Sequence, residues 1–336
     1  MAKQIFRVSR QKEYLTAGPT DLIMLEPVPG GTPLFISKWV LETLVYGIVN
    51  HEFIHLSGPT GSAKSSLLEA LYLVPDNFMP VAAALKFTEK PLEVYPIEMA
   101  TFEAPGELYQ RRALANGTTY DEKSTLVQAL EEIAANKNAA YPLIWLREMG
   151  RVHSSSVQGG LLNLMTKGDI ILPDATRIAG QGIAWVADSN YQAESDSTHT
   201  LVTLDDALKR RFSINLTLDY LPAEHEVIVL KHLLRAAKQE ADHELVEKVV
   251  NMGQTIRKAR SEGALQSVPP PTIYGYLAFL TMAEKMRHLT LQQVALATLL
   301  GNASDEDKKL IPGVLNKVFG LHSVHEEELD LAENLF

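Results

Sequence analysis

The 336-residue sequence contains no cysteine, so neither a disulfide framework nor a thiolate metal site is available to it. That usage fits a reducing compartment, and the expected location is the cytoplasm. No apolar run approaches the ~18 residues of a membrane span, and Lys3, Arg7 and Arg10 lead into no apolar leader core. A basic excess is missing too: the formal charge is −10, which argues against a non-specific grip on DNA or RNA. Internal repeats and low-complexity linkers are absent as well. What is present is 46% hydrophobic and 21% charged, ample core material for two globular domains.

The stretch that organises the rest is Phe53-Ile54-His55-Leu56-Ser57-Gly58-Pro59-Thr60-Gly61-Ser62-Ala63-Lys64-Ser65-Ser66, an apolar strand, a glycine turn and the start of a helix. It follows G-x-x-x-x-G-K-[ST], with Ala63 in the place of the second glycine. From Gly58 to Lys64 the backbone is expected to curl its N–H groups around a polyphosphate, and the helix from Ser65 adds the positive end of its dipole. Lys64 then supplies a point charge. The Ser65 hydroxyl becomes the expected ligand of a nucleotide-bound Mg²⁺, and Ser66 closes the binding stretch.

A rival signal overlaps it. His51-Glu52-Phe53-Ile54-His55 matches the zinc-protease pattern H-E-x-x-H. On a helix the two imidazoles lie one turn apart, with ~6 Å between Cβ atoms, whereas four extended residues span ~13 Å. His55 sits three residues before the glycine turn, where the chain must be extended, and no third ligand follows at close spacing.

In chain order, residues 1–35 read as an extension with a strand-like run at 4–8 and a turn-rich stretch at 27–33. A helix is expected over 37–48, then the strand and glycine turn. Further strands are expected at 97–102, 141–146, 169–172 (one arm of a hairpin), 182–190 and 212–218. Helices are expected from 104 to 112, over 124–136 and over 156–165. Strands and helices alternate, which implies a doubly wound parallel sheet in an α/β domain over 36–221. From Pro222 only helical periodicity remains, at 224–238, 243–260, 273–287 and 291–300, so 222–336 reads as an all-helical lid domain. One more helix is expected from Leu310, before the acidic stretch Glu326-Glu327-Glu328, which is either a docking strip or a solvated tail.

This order of parts resembles the AAA+ ATPases over residues ~35–290, in particular the branch of MoxR, RavA and CbbQ-type proteins. In that branch the loop is often G-x-P-G-x-A-K-[ST], close to Gly58–Ser65 as it stands. Leu143-Ile144-Trp145-Leu146-Arg147-Glu148-Met149-Gly150-Arg151 is similar to the family's apolar strand followed by Asp-Glu-Ile-Asn-Arg, with Arg147 in place of the aspartate that orders Mg²⁺. The resemblance makes Glu148 the catalytic glutamate that polarises the attacking water, and Asn190 the sensor amide at the tip of the adjacent strand. The run from Arg151 through Gln158, Leu161, Leu162 and Met165 resembles the family's subunit-facing helix. Leu208-Lys209-Arg210-Arg211-Phe212 is similar to Leu-x-Asp-Arg-Phe, so Arg211, then Arg210, is the expected arginine finger. No sensor 2 arginine stands at the start of the third lid helix, where Val268-Pro269-Pro270-Pro271-Thr272 is found; Arg257 and Arg260 are the remaining lid cations.

What the resemblance implies is an ATP- and Mg²⁺-dependent remodelling protein, a homo-oligomer of six, acting on a client protein or through a von Willebrand factor A-type adaptor. Two other classes stay open. Arg147 fits an ATP-gated assembly scaffold with weak or no hydrolysis, and a P-loop kinase of small molecules shares the loop, though not the long helical domain after the sheet.

Overall fold

The computed structural model describes residues 5–309 other than 116, 137–138, 191–203, 240–241, 266 and 302, together with 313 and 315. Its first unit ends at Asp219 and its second begins at Tyr220. The first unit runs β1 (Ile5–Arg7), α1 (Gln11–Thr16), β2 (Leu22–Leu25), β3 (Leu34–Ser37), α2 (Lys38–Val49), β4 (Phe53–Gly58), α3 (Lys64–Leu73), α4 (Pro75–Ala84) and β5 (Leu92–Glu98). It continues with β6 (Gln110–Ala115), β7 (Thr118–Lys123), α5 (Thr125–Ala135), β8 (Tyr141–Arg147), α6 (Ser155–Leu164), β9 (Asp169–Ile171), β10 (Arg177–Ala179), β11 (Ala184–Asn190), α7 (Asp206–Lys209) and β12 (Ile214–Thr217).

Five strands form one parallel sheet in the order β12-β4-β11-β8-β5. Successive side chains of a strand leave on opposite faces. Ile54, Leu143, Trp145 and Val186 therefore enter one core with Leu41, Leu44 and Ile48 of α2 and Leu67 of α3. Phe53, Ile144, Leu146 and Trp185 enter a second core with Leu126 and Leu130 of α5 and Leu161 of α6. Helices thus cover both faces, which is why β8 from Leu143 to Leu146 and β11 from Ala184 to Ala187 are continuously apolar instead of alternating. The first residues add a separate sheet, β1-β2-β3, whose Ile23 and Leu25 join the first core together with Tyr14.

Two local expectations are corrected, and one helix was not expected. The strand expected at 97–102 is β5, which starts at Leu92; residues Met99–Thr101 form a 3₁₀ turn instead. Pro96 masks β5 in the sequence, and it is tolerated because β5 is the sheet's edge. The helix expected from 104 to 112 is a 3₁₀ turn, Pro105–Leu108, followed by the antiparallel hairpin of β6 and β7. Ala115 pairs with Thr118 across the sequence Asn116-Gly117, and Gly117 has φ 78°; an Asn-Gly pair is a strong hairpin signal that outweighs helical propensity here. Helix α4, with Pro75 in its first turn, has no counterpart among the expected elements.

The second unit contains α8 (Ala223–Ala236), α9 (His243–Ser261), α10 (Ile273–Lys285), α11 (Leu291–Thr298) and α12 (Asp305–Lys308), around a core that includes Leu230, Val249, Ile256, Phe279 and Val294. Arg257 and Arg260 are used inside this unit. Arg257 pairs with Glu226 at 2.8 Å, donates through Nε to the Pro271 carbonyl at 2.9 Å and lies over the Tyr220 ring; Arg260 donates to the Val268 carbonyl at 2.8 Å. Of the helix expected from Leu310 only residues 313 and 315 are described, both helical, and the Glu326–Glu328 stretch lies outside the described residues. Among the described residues no helix is long and apolar enough to cross a membrane.

Candidate functional site

Strand β4 delivers the chain to Gly58, where φ is 155° and an added Cβ would lie 1.9 Å from the Leu218 carbonyl oxygen, so no side chain fits. The turn passes Pro59 and Thr60, bends left-handed at Gly61 (φ 79°), and passes Ser62 to Ala63, also left-handed at φ 67°. That torsion explains why a glycine suits the position of Ala63; an alanine there costs about 1–2 kcal/mol of backbone strain. Helix α3 then starts at Lys64, and no side chain caps its N-terminus, so its first N–H groups face the turn. Lys64 is buried and folds back over the turn, donating to the carbonyls of Gly58 and Pro59 at 2.8 Å each. A parallel sheet whose internal strand β4 leads into this turn and helix is the P-loop NTPase fold.

No family model matches the chain, and no curated protein matches it. Among solved structures it is similar to a lysine-to-arginine mutant of Thermotoga maritima RuvB, with 13% identity over 89% of this chain and 79% of that one, at a TM-score of 0.44. What the P-loop can do is decided by its own surroundings.

Thr60, Gly61, Ala63, Lys64, Ser65 and Ser66 line one side of a cavity of about 230 Å³; Glu148, Gly150, Arg151, Asp188 and Asn190 line the other. The strand tips bring them there. Asn190 is the last residue of β11, in register with Gly58. Glu148 follows β8 in a left-handed conformation, φ 53°, and its backbone N–H donates to Asp188 Oδ1 at 2.7 Å. Its carboxylate lies 3.4 Å from the Arg151 guanidinium. Asp188 is buried, and Oδ2 accepts from Trp145 Nε1 at 2.7 Å. Burial raises the Asp188 carboxyl above its ordinary range, against the pull of the Glu148 N–H, the Trp145 indole and the Lys64 charge.

Left-handed turn residues, uncapped helix N–H groups, a lysine, the Ser65 hydroxyl and two carboxylates form a donor set that fits a polyphosphate carrying a divalent cation. Arg147 does not line this cavity. It pairs with Glu98 of β5 at 2.6 Å and stacks over Trp145, 4.7 Å from the ring centroid.

Arg210 and Arg211 lie elsewhere. Both are exposed at the end of α7 and line a second cavity of about 450 Å³ with Glu52, Phe53, Lys167 and Ser213. Phe53 is the first residue of β4 and Gly58 the last, so about 17 Å of strand separates that cavity from the P-loop. Asp188 lines the cavity although no motif singles it out, and Arg151, expected only at the start of the subunit-facing run, lines it too. The signal for Asp188 was available: an acid closing the apolar run Ala184-Trp185-Val186-Ala187 must be buried and must find donors.

The H-E-x-x-H residues are split between a turn and a strand. His51 sits at φ 56° with its ring beside Tyr141, while His55, in β4, contacts Ser189 Oγ through Nε2 at 2.7 Å and packs near Phe212. Burial lowers the pKa of both below 6.5; Lys167 adds to this at His51, and at His55 a hydrogen bond with Asn215 opposes it. The folded state therefore holds fewer protons than the unfolded chain just below pH 6.5. Their contribution to stability is present above about pH 6.5 and is lost as pH falls through the lowered folded values. The urea midpoint is expected to drop between pH 7.5 and 5.5, and His55→Gln is expected to reduce that drop.

Proposed function

We propose that this chain is an ATP-binding and ATP-hydrolysing AAA+ protein of the MoxR type, working in the cytoplasm as an oligomeric ring on a partner protein. The observation that carries the reading is the facing pair in one cavity: Lys64 and Ser65 at an uncapped helix start on one side, the Glu148 carboxylate at the tip of β8 on the other. Bound ATP would supply the phosphoanhydride to be cleaved, and its Mg²⁺ would spread the phosphate charge. The loop N–H groups from Gly58 to Ser66 and the Lys64 ammonium hold the phosphates. Ser65 Oγ would ligate the cation, Glu148 would take the proton of the attacking water, and the Asn190 amide would orient that water.

Hydrolysis in this reading needs a further cation. Arg211, with Arg210 second, is exposed and remote from its own P-loop, which suits a guanidinium offered to a neighbour's phosphate and so a closed ring, six-membered by resemblance. The client, direct or reached through a von Willebrand factor A-type adaptor, is part of the same proposal. A second reading, an ATP-gated scaffold with slow hydrolysis, is favoured by one fact: β8 ends in Arg147, so that strand offers no aspartate to the cation.

The test is molecular mass in solution with and without ATP, alongside titration with a fluorescent ATP analogue. Wild type is expected to bind the analogue and to assemble with ATP. Lys64→Ala removes the charged donor and is expected to weaken binding about 10- to 150-fold, the equivalent of about 1.5–3 kcal/mol, and to stay unassembled. A wild-type chain that ignores adenine nucleotides, or remains a single subunit with them, overturns the proposal.

A further inference from the structure

The divalent cation of a nucleotide at a P-loop takes oxygen ligands and acidic groups, and β8, whose tip faces the loop across β11, ends in Arg147 where the resemblance expects an aspartate. The sheet register shows where another acid stands. In the parallel pair of β8 and β11, Leu146 lies opposite Ala187, so the next residues, Arg147 and Asp188, are level with each other one strand apart. The two side chains go to different places. Arg147 is held by Glu98 and by the Trp145 face, outside the cavity lining, whereas Asp188 lines the cavity with Lys64 and Ser65 and is only 4% exposed.

We propose that Asp188 supplies from β11 the carboxylate for the nucleotide-bound divalent cation that β8 lacks. The inference rests on the nucleotide reading of the P-loop. Two further features of Asp188 support it. Each carboxylate oxygen accepts one protein donor, the Glu148 N–H at Oδ1 and the Trp145 indole at Oδ2, which fixes the group's orientation and leaves a lone pair on each oxygen for the cation's water shell. The same bond to the Glu148 backbone seats the general base, so one side chain ties the cation to the residue that activates water. The pairing of Arg147 with Glu98 and Trp145 keeps its positive charge away from the cation without removing it from the strand.

The experiment is titration of the full chain with a fluorescent, non-hydrolysable ATP analogue in EDTA and in Mg²⁺. Wild type is expected to gain about tenfold or more in affinity from Mg²⁺, whereas Asp188→Asn, read as the ratio of its own affinities in Mg²⁺ and in EDTA, is expected to lose most of that gain. Arg147→Ala is expected to keep it. An undiminished Mg²⁺ gain in Asp188→Asn overturns the assignment while leaving nucleotide binding intact. Absence of analogue binding by wild type in both conditions overturns the nucleotide reading and the assignment with it.

A second measurement leaves Asp188 untouched, should the asparagine variant not fold. The chain has three tryptophans, and their nitrogen-15 indole signals can be assigned with Trp145→Phe. Mg²⁺ added to the analogue-bound wild type is expected to shift the Trp145 indole, which donates to Asp188, more than those of Trp39 and Trp185. An unmoved Trp145 signal overturns the assignment.

Discussion

Glu148→Gln is expected to lower the rate of phosphate release by about 10²–10⁴-fold, or about 3–5 kcal/mol of barrier, with nucleotide binding retained. The substitution keeps the size of the side chain and removes only its ability to take a proton. The seat survives because it is made by the backbone: the N–H of residue 148 donates to Asp188 whichever side chain it carries. Arg151, 3.4 Å from the carboxylate, loses a charge partner, but that ion pair is more than a third exposed on both sides and contributes little. Phosphate release measured across several Mg²⁺ concentrations, with analogue affinity as the control, checks the expectation. Equal inactivity of wild type and variant would transfer the conclusion to the ATP-gated scaffold, in which binding orders an assembly and turnover is not required.

Glu226→Ala is expected to destabilise the helical unit by about 3–5 kcal/mol, because it strands the charge of Arg257 in a buried setting. Glu226 is 1% and Arg257 8% exposed at the side chain, and their oxygen and nitrogen lie 2.8 Å apart. Burial raises the Glu226 carboxyl above its ordinary range despite the Arg257 charge and the hydrogen bond from Gln254. Taking both charges out of water offsets much of their attraction, so the pair as a whole is expected to stabilise little even though removing either half alone is worse. Glu226→Leu combined with Arg257→Leu is expected to recover a large part of the loss, short of the hydrogen bond to Pro271. Thermal and urea unfolding followed by circular dichroism measures both; a single variant within about 1 kcal/mol of wild type would show that the site relaxes around the lone cation.

These two residues also show how far linear reading reaches. Glu148 was legible because the apolar run 141–146 and the two residues after it form one continuous segment, whose strand and tip follow from local patterning. The partnership of Arg257 with Glu226 was not legible, since 31 residues and a helix turn separate them, and Arg257 had to be weighed as a lid cation. The hairpin of β6 and β7 failed for another reason. Its Asn-Gly signal was present, but the preceding Pro-Gly-Glu-Leu stretch has the look of a helix start, and only pairing from Gln110 with Lys123 to Ala115 with Thr118 decides between them.

The order of residues alone determined the P-loop turn, because the left-handed bends at Gly61 and Ala63 and the helix start at Lys64 are set among neighbours in the chain, although the close approach at Gly58 comes from distant Leu218. It determined the alternation of strand and helix for the same reason. Tertiary structure decided what faces that loop: Asp188 stands level with Arg147 through strand register across some forty residues, and Arg147 is turned to Glu98 by a contact between β8 and β5. Side-chain direction at a strand tip depends on which strand lies alongside, and nothing in the linear pattern specifies the neighbour.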